Sequence, residues 1–311
     1  MTEPVMTKEG QEALDRFLNM RPPIIKEEYR RKIFRMLSLL MKEKGSKEAG
    51  RELVFEAMRL AFTKGYDPLF HMIEDPEKFK KLSIDPVKDI NAYNAKPVQV
   101  KRWERLAIKP TKRPGEMKVL AICASPRIRG NTDVLIDESV RGARDAGAQV
   151  EKIVLRKFKV NPCLACAKCR QSGFTGFCVQ KDDMPGILEK IMASDAIILG
   201  FPIYSGRECA QLATFFDRWY CLEGHKQEQE RRALVIGTWG YPYVDTYDFV
   251  MYEIISILNM FRISTVEAIS ACGFYGILHG LDEKRKAIIL RFPGELEKAY
   301  HAGNSLITGQ G

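Results

Sequence analysis

The spacing of apolar residues changes character near residue 115. Before that point Ile33, Met36, Leu37, Leu40 and Met41 recur at helical spacing between lysines, arginines and glutamates. Leu53, Val54, Ala57, Met58 and Ala61 repeat the pattern after Gly45 and Gly50, which predicts an αα-hairpin whose first major helix starts after Arg21-Pro22-Pro23. From Asp75 to Glu116 the periodicity fades among prolines at 86, 97, 110 and 114, and the stretch reads as an extended connector. After Gly115 short aliphatic runs take over: 119–124, 150–155, 196–201, 233–238 and 264–271. Amphipathic helical stretches separate and follow them at 132–147, 184–193, 207–221, 246–260 and 282–302. Nearly continuous apolar strands alternating with helices predict an α/β, doubly wound, five-stranded parallel sheet covered on both faces. Its ligand crevice belongs at the carboxyl ends of the strands. The expected division is thus a helical N-terminal region with a basic linker, 1–115, and a doubly wound domain, 116–311.

Composition narrows the function classes. A chain of 311 residues, 45% hydrophobic and 29% charged, suits a soluble globular protein of one large or two smaller domains. The first residues lack the apolar core of a signal peptide, no apolar run is long enough to span a bilayer, and eight cysteines without an export signal imply a reducing, cytoplasmic setting. The net charge is +9, of which residues 1–116 hold +7. That excess reads either as a solvated surface with a basic linker or as a face that steers an acidic partner. Aromatics interleave with basic residues only at Lys101-Arg102-Trp103, which argues against nucleic acid.

Cys163, Cys166, Cys169 and Cys178 are the strongest chemical signal. Two consecutive C-x-x-C steps crowd three thiols onto one loop, and the glycines of Ser172-Gly173-Phe174-Thr175-Gly176 allow the chain to return with a fourth. Ferredoxin-type loops present thiolates to an iron–sulfur cluster in this way. Zinc more commonly takes two separated C-x-x-C knuckles, and free or redox-active thiols are the third reading.

Three further segments fall at predicted strand ends. The first strand runs into Ser125-Pro-Arg-Ile-Arg-Gly-Asn-Thr132 before a helix, where unpaired N–H groups and the helix dipole favour a phosphate. Ser125 and Thr132 add hydroxyls, Arg127 a planar cation, and Asn131 a natural N-cap. The third strand ends in Gly200-Phe-Pro-Ile-Tyr-Ser-Gly206 and the fourth in Gly237-Thr-Trp-Gly-Tyr241. Their glycines admit a planar ligand, and Tyr204, Trp239 or Tyr241 can lie against it. No dinucleotide or P-loop fingerprint is present.

Ser-Pro-Arg at 125–127, Gly-Asn-Thr at 130–132, Pro202-Ile-Tyr204 and Phe216-Asp-Arg218 together resemble the NADPH-dependent FMN reductase branch of the flavodoxin-like fold. With the four cysteines followed by Asp182-Asp-Met184, the chain is similar to the iron–sulfur flavoproteins of anaerobic microbes. The resemblance implies FMN and a [4Fe–4S] cluster held by Cys163, Cys166, Cys169 and Cys178. Ser125, Arg127, Asn131 and Thr132 would grip the phosphate. Pro202, Ile203, Tyr204, Ser205 and Gly206 would line the isoalloxazine, with Thr238, Trp239 and Gly240 closing it. It further implies a homo-oligomeric oxidoreductase fed by ferredoxin or NAD(P)H. An NAD(P)H-dependent FMN or quinone reductase without a functional cluster is the alternative enzyme, and a redox carrier docking an acidic partner through its basic helical region the alternative outside catalysis.

The remaining candidates read as structural. His71, His225, His279 and His301 have no metal spacing, and Cys123, Cys209, Cys221 and Cys272 read as small buried hydrophobes. Asp217-Arg218 reads as an ion pair, and Asp182 and Asp183 as the N-cap before Met184-Pro185.

Overall fold

The computed structural model describes residues 3–62, 67–77, 98–224, 230–240, 244–273 and 286–310. It divides into two compact units, residues 1–89 and 90–311. In the first, α1 (Lys8–Asn19), α2 (Pro23–Glu43), α3 (Arg51–Ala61) and α4 (Asp67–Glu74) pack together. The hairpin predicted from periodicity is α2 and α3. The flanking α1 carries its own start signal, the Thr7 hydroxyl accepting the Gly10 N–H at 3.1 Å. Leu14, Phe17 and Leu18 of α1 meet Ile33, Leu37, Val54, Met58 and Phe70 in a buried core. Phe17 is ringed by Tyr29, Phe62 and Phe70, so one aromatic side chain gathers several elements.

The second unit is one mixed sheet. Its strands are β1 (Val98–Arg102), β2 (Lys118–Cys123), β3 (Gln149–Val154), β4 (Ala196–Tyr204), β5 (Arg207–Glu208), β6 (Arg231–Trp239) and β7 (Ile263–Gly273). The order is β1-β7-β6-β4-β2-β3, with β5 hairpinned onto β4. β3, β2, β4, β6 and β7 are mutually parallel; renumbered among themselves they read 2-1-3-4-5, the flavodoxin-like order. Leu120, Ile122, Ile197, Leu199 and Val235 face one core with α6 (Met184–Met192), α7 (Ala210–Asp217) and α8 (Asp248–Met260). Val119, Ala121, Ile198, Leu234 and Ile236 face the other, under α5 (Asn131–Asp145) and α9 (Pro293–Thr308). The period-2 alternation thus distributes side chains to two apolar faces.

Two expectations change. Residues 98–102 lie in the stretch read as a connector, yet they form an antiparallel edge strand on β7, Val98 opposite Gly273 and Arg102 opposite Ile269. Only the β-branched pair Val98 and Val100 in Val-Gln-Val-Lys-Arg signals this; both side chains are buried. Arg102 reaches the buried Glu267 at 3.0 Å and Lys101 pairs with Asp248 at 3.0 Å, so these bases serve the sheet. The helix expected at 207–221 is instead a short strand, then α7, then a 3-10 segment, Arg218–Gly224. α9 starts at Pro293, and residues 282–285 of the helix expected there lie outside the described residues, as do Tyr241, His225 and His279. Among the described residues no helix is long and apolar enough to cross a membrane.

Candidate functional site

The loop after β2 is built from within. Ser125, buried at the end of the strand, accepts the Arg127 N–H on its hydroxyl at 3.2 Å, a local side-chain turn. Arg129 takes the left-handed backbone conformation (φ 56°), and its N–H is held at 2.7 Å by Asp133 Oδ2. Burial works against the Asp133 carboxylate, but Lys152 at 2.6 Å and the Arg129 N–H outweigh it and hold its pKa below the ordinary value. Arg156 donates to the Pro126 carbonyl at 2.9 Å. Asp133, Lys152 and Arg156 are the residues that sequence reasoning missed here; Asp133 was legible as an acid in the first turn of a helix.

Gly130, not Asn131, is the N-cap of α5, and no side chain caps this end. Asn131 instead accepts the Ile289 N–H at 3.2 Å on its side-chain oxygen. The Thr132 hydroxyl lies 2.6 Å from that of Thr238 at the end of β6, both buried. A helix start of this kind, without a side-chain cap, can offer first-turn amides to an anion.

At the end of β4, Ser205 (φ 52°) and Gly206 (φ 80°) form a two-residue turn with both central residues left-handed. Tyr204 pairs with Arg207 across it, as a type I′ hairpin requires. Tyr204 is exposed. The part of its phenol turned toward the protein is desolvated, which raises its pKa, opposed by the Arg127 charge and the Ser125 hydroxyl; the β4 turn thus lies beside the β2 loop. Pro202 lies opposite Thr238 in the sheet and Ile203 is buried. Trp239 is buried, its indole edge-on to Tyr247 at 5.6 Å, so it packs in the core rather than presenting an open ring. Gly200 and Gly237 serve packing too: a Cβ there would lie 2.4 Å from Ile136 Cδ1 and 2.4 Å from Met251 Sδ respectively. Gly240 follows the strand, half-buried.

The cysteine loop is a separate construction. Ala165 (φ 50°) and Ala167 (φ 54°) are both left-handed, a cost of about 1–2 kcal/mol each for a residue with a Cβ. The first turns the Ala165 N–H onto Cys163 Sγ at 3.4 Å. The Cys169 thiol is raised by burial and by the neighbouring sulfurs of Cys178 and Cys163, so these three lie in one electrostatic neighbourhood. Cys166 is exposed, and all four are free thiols. Among the described residues no three metal-ligating side chains meet closely enough to hold an ion. The donor set nevertheless suits iron and sulfide: four thiols on one loop, with no carboxylate or imidazole between Cys163 and Cys178. Cys123, Cys209, Cys221 and Cys272 are buried, and burial pushes the first up to about 12, the second to about 11 and the last two to about 12. They remain protonated.

Asp217 is not the partner of Arg218. The buried Arg218 guanidinium pairs with Asp182, Nη1 to Oδ2 at 2.5 Å and Nη2 to Oδ1 at 3.2 Å, and donates to the Asn161 carbonyl at 2.9 Å. It also faces the Cys178 sulfur. Asp182 accepts the N–H of Asn161 at 3.0 Å and of Met184 at 3.2 Å. Asp183 is the N-cap residue of α6 without a side-chain cap bond; its carboxylate accepts the Lys159 N–H at 2.6 Å.

Residues 117–271 match the profile of the NADPH-dependent FMN reductase family. An iron–sulfur flavoprotein of Methanocaldococcus jannaschii is 40% identical over 102 residues, 33% of this chain and 51% of the relative. One from Methanosarcina thermophila is 38% identical over 102 residues, 33% and 52% of the two chains. The chain thus spans about half the length of the curated relatives it matches. An NAD(P)H:quinone oxidoreductase from Methanothermobacter marburgensis superposes at a TM-score of 0.44 with 20% identity, covering 61% of this chain and 96% of that one.

Proposed function

Because residues 117–271 belong to the NADPH-dependent FMN reductase family, we propose that this chain is an FMN-dependent oxidoreductase whose cysteine loop carries a [4Fe–4S] cluster. FMN at the strand ends supplies two-electron hydride chemistry and the cluster single-electron steps. The convergence of the β2 loop, the β4 turn and the end of β6 at an α5 N-terminus without a side-chain cap carries the flavin reading. Arg127, Ser125 and the first-turn amides of Asn131 and Thr132 hold the phosphate, while the Thr132–Thr238 hydroxyl contact fixes the distance between two walls of the site. Pro202, Ile203, Tyr204, Ser205 and Gly206 line the ring, with Thr238 and Gly240 opposite and Trp239 supporting that wall from the core. Cys163, Cys166, Cys169 and Cys178 are the metal ligands. NAD(P)H or a ferredoxin is the donor, and the working form is a cytoplasmic homo-oligomer.

The alternative reading, an NAD(P)H-dependent FMN or quinone reductase without a cluster, is favoured by the exposure of Cys166 and by the absence, among the described residues, of three metal-ligating side chains close enough to hold an ion. Absorption spectra of anaerobically purified protein before and after dithionite, with iron, sulfide and FMN analysis, separate the two. The proposal expects one FMN and close to four irons and four sulfides per chain, as the [4Fe–4S] formula requires. FMN without iron and sulfide selects the alternative, and absence of FMN overturns both.

A further inference from the structure

The loop from Asn161 to Asp182 leaves the body and returns to the same place, and the charged group at its base is contributed from outside it. Arg218 lies at the end of α7, 36 residues from Asp182, with its side chain 1% exposed and that of Asp182 0%. The fork of the guanidinium takes both Asp182 oxygens while a further bond reaches the Asn161 carbonyl. Asp182 completes the ring by accepting the Asn161 N–H. One cation and one carboxylate therefore join the residue two before Cys163 to the residue four after Cys178. The 3-10 turn Lys168–Arg170, which contains Cys169, packs on the segment that Arg218 opens.

Desolvating such a pair is expensive, and an apolar pair of similar volume commonly gives equal or better stability. The fold alone gives no reason to keep it. The loop does: it holds two alanines in left-handed conformations, and strained backbone persists only where its surroundings over-determine it.

We propose that Arg218 is a positioning residue for the cysteine loop: paired with Asp182, it clasps both ends of residues 161–182 and sets Cys163, Cys169 and Cys178 near one another. The proposal rests on the cluster reading only for its iron readout; closure of the loop can be measured without metal.

The experiment uses the full chain as Arg218→Gln, Arg218→Lys and the double variant Asp182→Leu/Arg218→Met. The double variant removes the clasp without leaving a buried charge, so it keeps the test decisive if Arg218→Gln does not fold. Metal-free protein is treated with trypsin, and cleavage after the exposed Lys168 and Arg170 is timed. The double variant should be cut about tenfold faster or more, because cleavage follows the population of the open form. It should bind FMN as wild type does, since the flavin loops lie elsewhere. Reconstituted with iron and sulfide, it should hold less than about half the wild-type iron, a labile ligand set giving up metal. Arg218→Lys should fall between, because an ammonium keeps the charge but not the fork. Wild-type cleavage rates in the double variant would overturn the clasp, whatever the iron content. Loss of FMN in parallel with iron would also overturn it, showing that the pair holds the core. If wild type itself takes up no iron, the cluster reading fails while cleavage still decides the clasp.

Discussion

At the scale of single residues, the β2 loop separates groups that meet a ligand from groups that hold the loop. On the flavin reading proposed above, Arg127 is of the first kind. Arg127→Ala removes a charge-assisted contact of about 1.5–3 kcal/mol and should weaken FMN binding by roughly ten- to a hundredfold; equal titrations of the two proteins would remove Arg127 from the site. Asp133 belongs to the second. Its folded pKa is depressed, so its contribution to stability is present above the unfolded carboxylate pKa of about 3.9 and lost as pH falls through the lower, folded value. Asp133→Asn should therefore lower the denaturation midpoint of flavin-free protein by a constant amount at pH 6–8, equivalent to about 1.5–3 kcal/mol. The gap should close below about pH 4. A gap that widens on acidification would contradict the assignment. Arg127 was visible as a basic residue at a strand end, but Asp133 acquires its role only when Lys152, from the neighbouring strand, reaches it.

At the scale of elements, α5 and α9 cross where two glycines remove the side chains between them. A Cβ on Gly142 would sit 2.0 Å from the Tyr300 carbonyl oxygen, and one on Gly303 1.9 Å from that of Ser139. The single Ser139 hydroxyl hydrogen is shared within this crossing between the Leu135 and Ala299 carbonyls, both 3.0 Å away. Alanine would improve helix propensity by about 1 kcal/mol, but forcing the helices apart costs more, typically about 1–3 kcal/mol and higher against backbone. Gly303→Ala should lower the urea midpoint of flavin-free protein, and a stabilised variant would show that the helices can slide without penalty. The helix periods were legible here; that these two helices touch was not, because α9 is more than 140 residues downstream of α5.

At the scale of the whole molecule, charge and chain division differ from the linear impression. Residues 1–89 carry only +2 and residues 90–116 carry +5, and several of the latter are spent on ion pairs, Lys101–Asp248, Arg102–Glu267 and Lys112–Asp195 among them. The cysteine segment is itself basic, residues 155–181 containing six Lys/Arg and no Asp/Glu. An acidic redox partner steered by charge should be sought there rather than at the helical unit. The strand β1 also moves the useful cut point. A chain starting at Ile90 should fold and bind FMN. One starting at Gly115 loses β1, exposes the β7 edge and leaves Glu267 buried without Arg102, and should aggregate or unfold at lower urea. Soluble, FMN-binding protein from the shorter chain at unchanged stability would show that β1 is dispensable.

The periodicity of apolar residues determined the parallel α/β sheet, the helical hairpin before it and the loops at the strand ends, because each is a local consequence of which side chains alternate over a few residues. Residues 98–102 escaped that reading, since an edge strand needs only one apolar face and is completed by hydrogen bonds to β7. The cysteine loop shows the same boundary. Its spacing announces the thiols, while adjacency alone pairs Arg218 with Asp217 and folding brings Asp182 to it instead. Sequence neighbours compete poorly with a buried carboxylate that offers two aligned oxygens, and only the tertiary structure decides which carboxylate is buried.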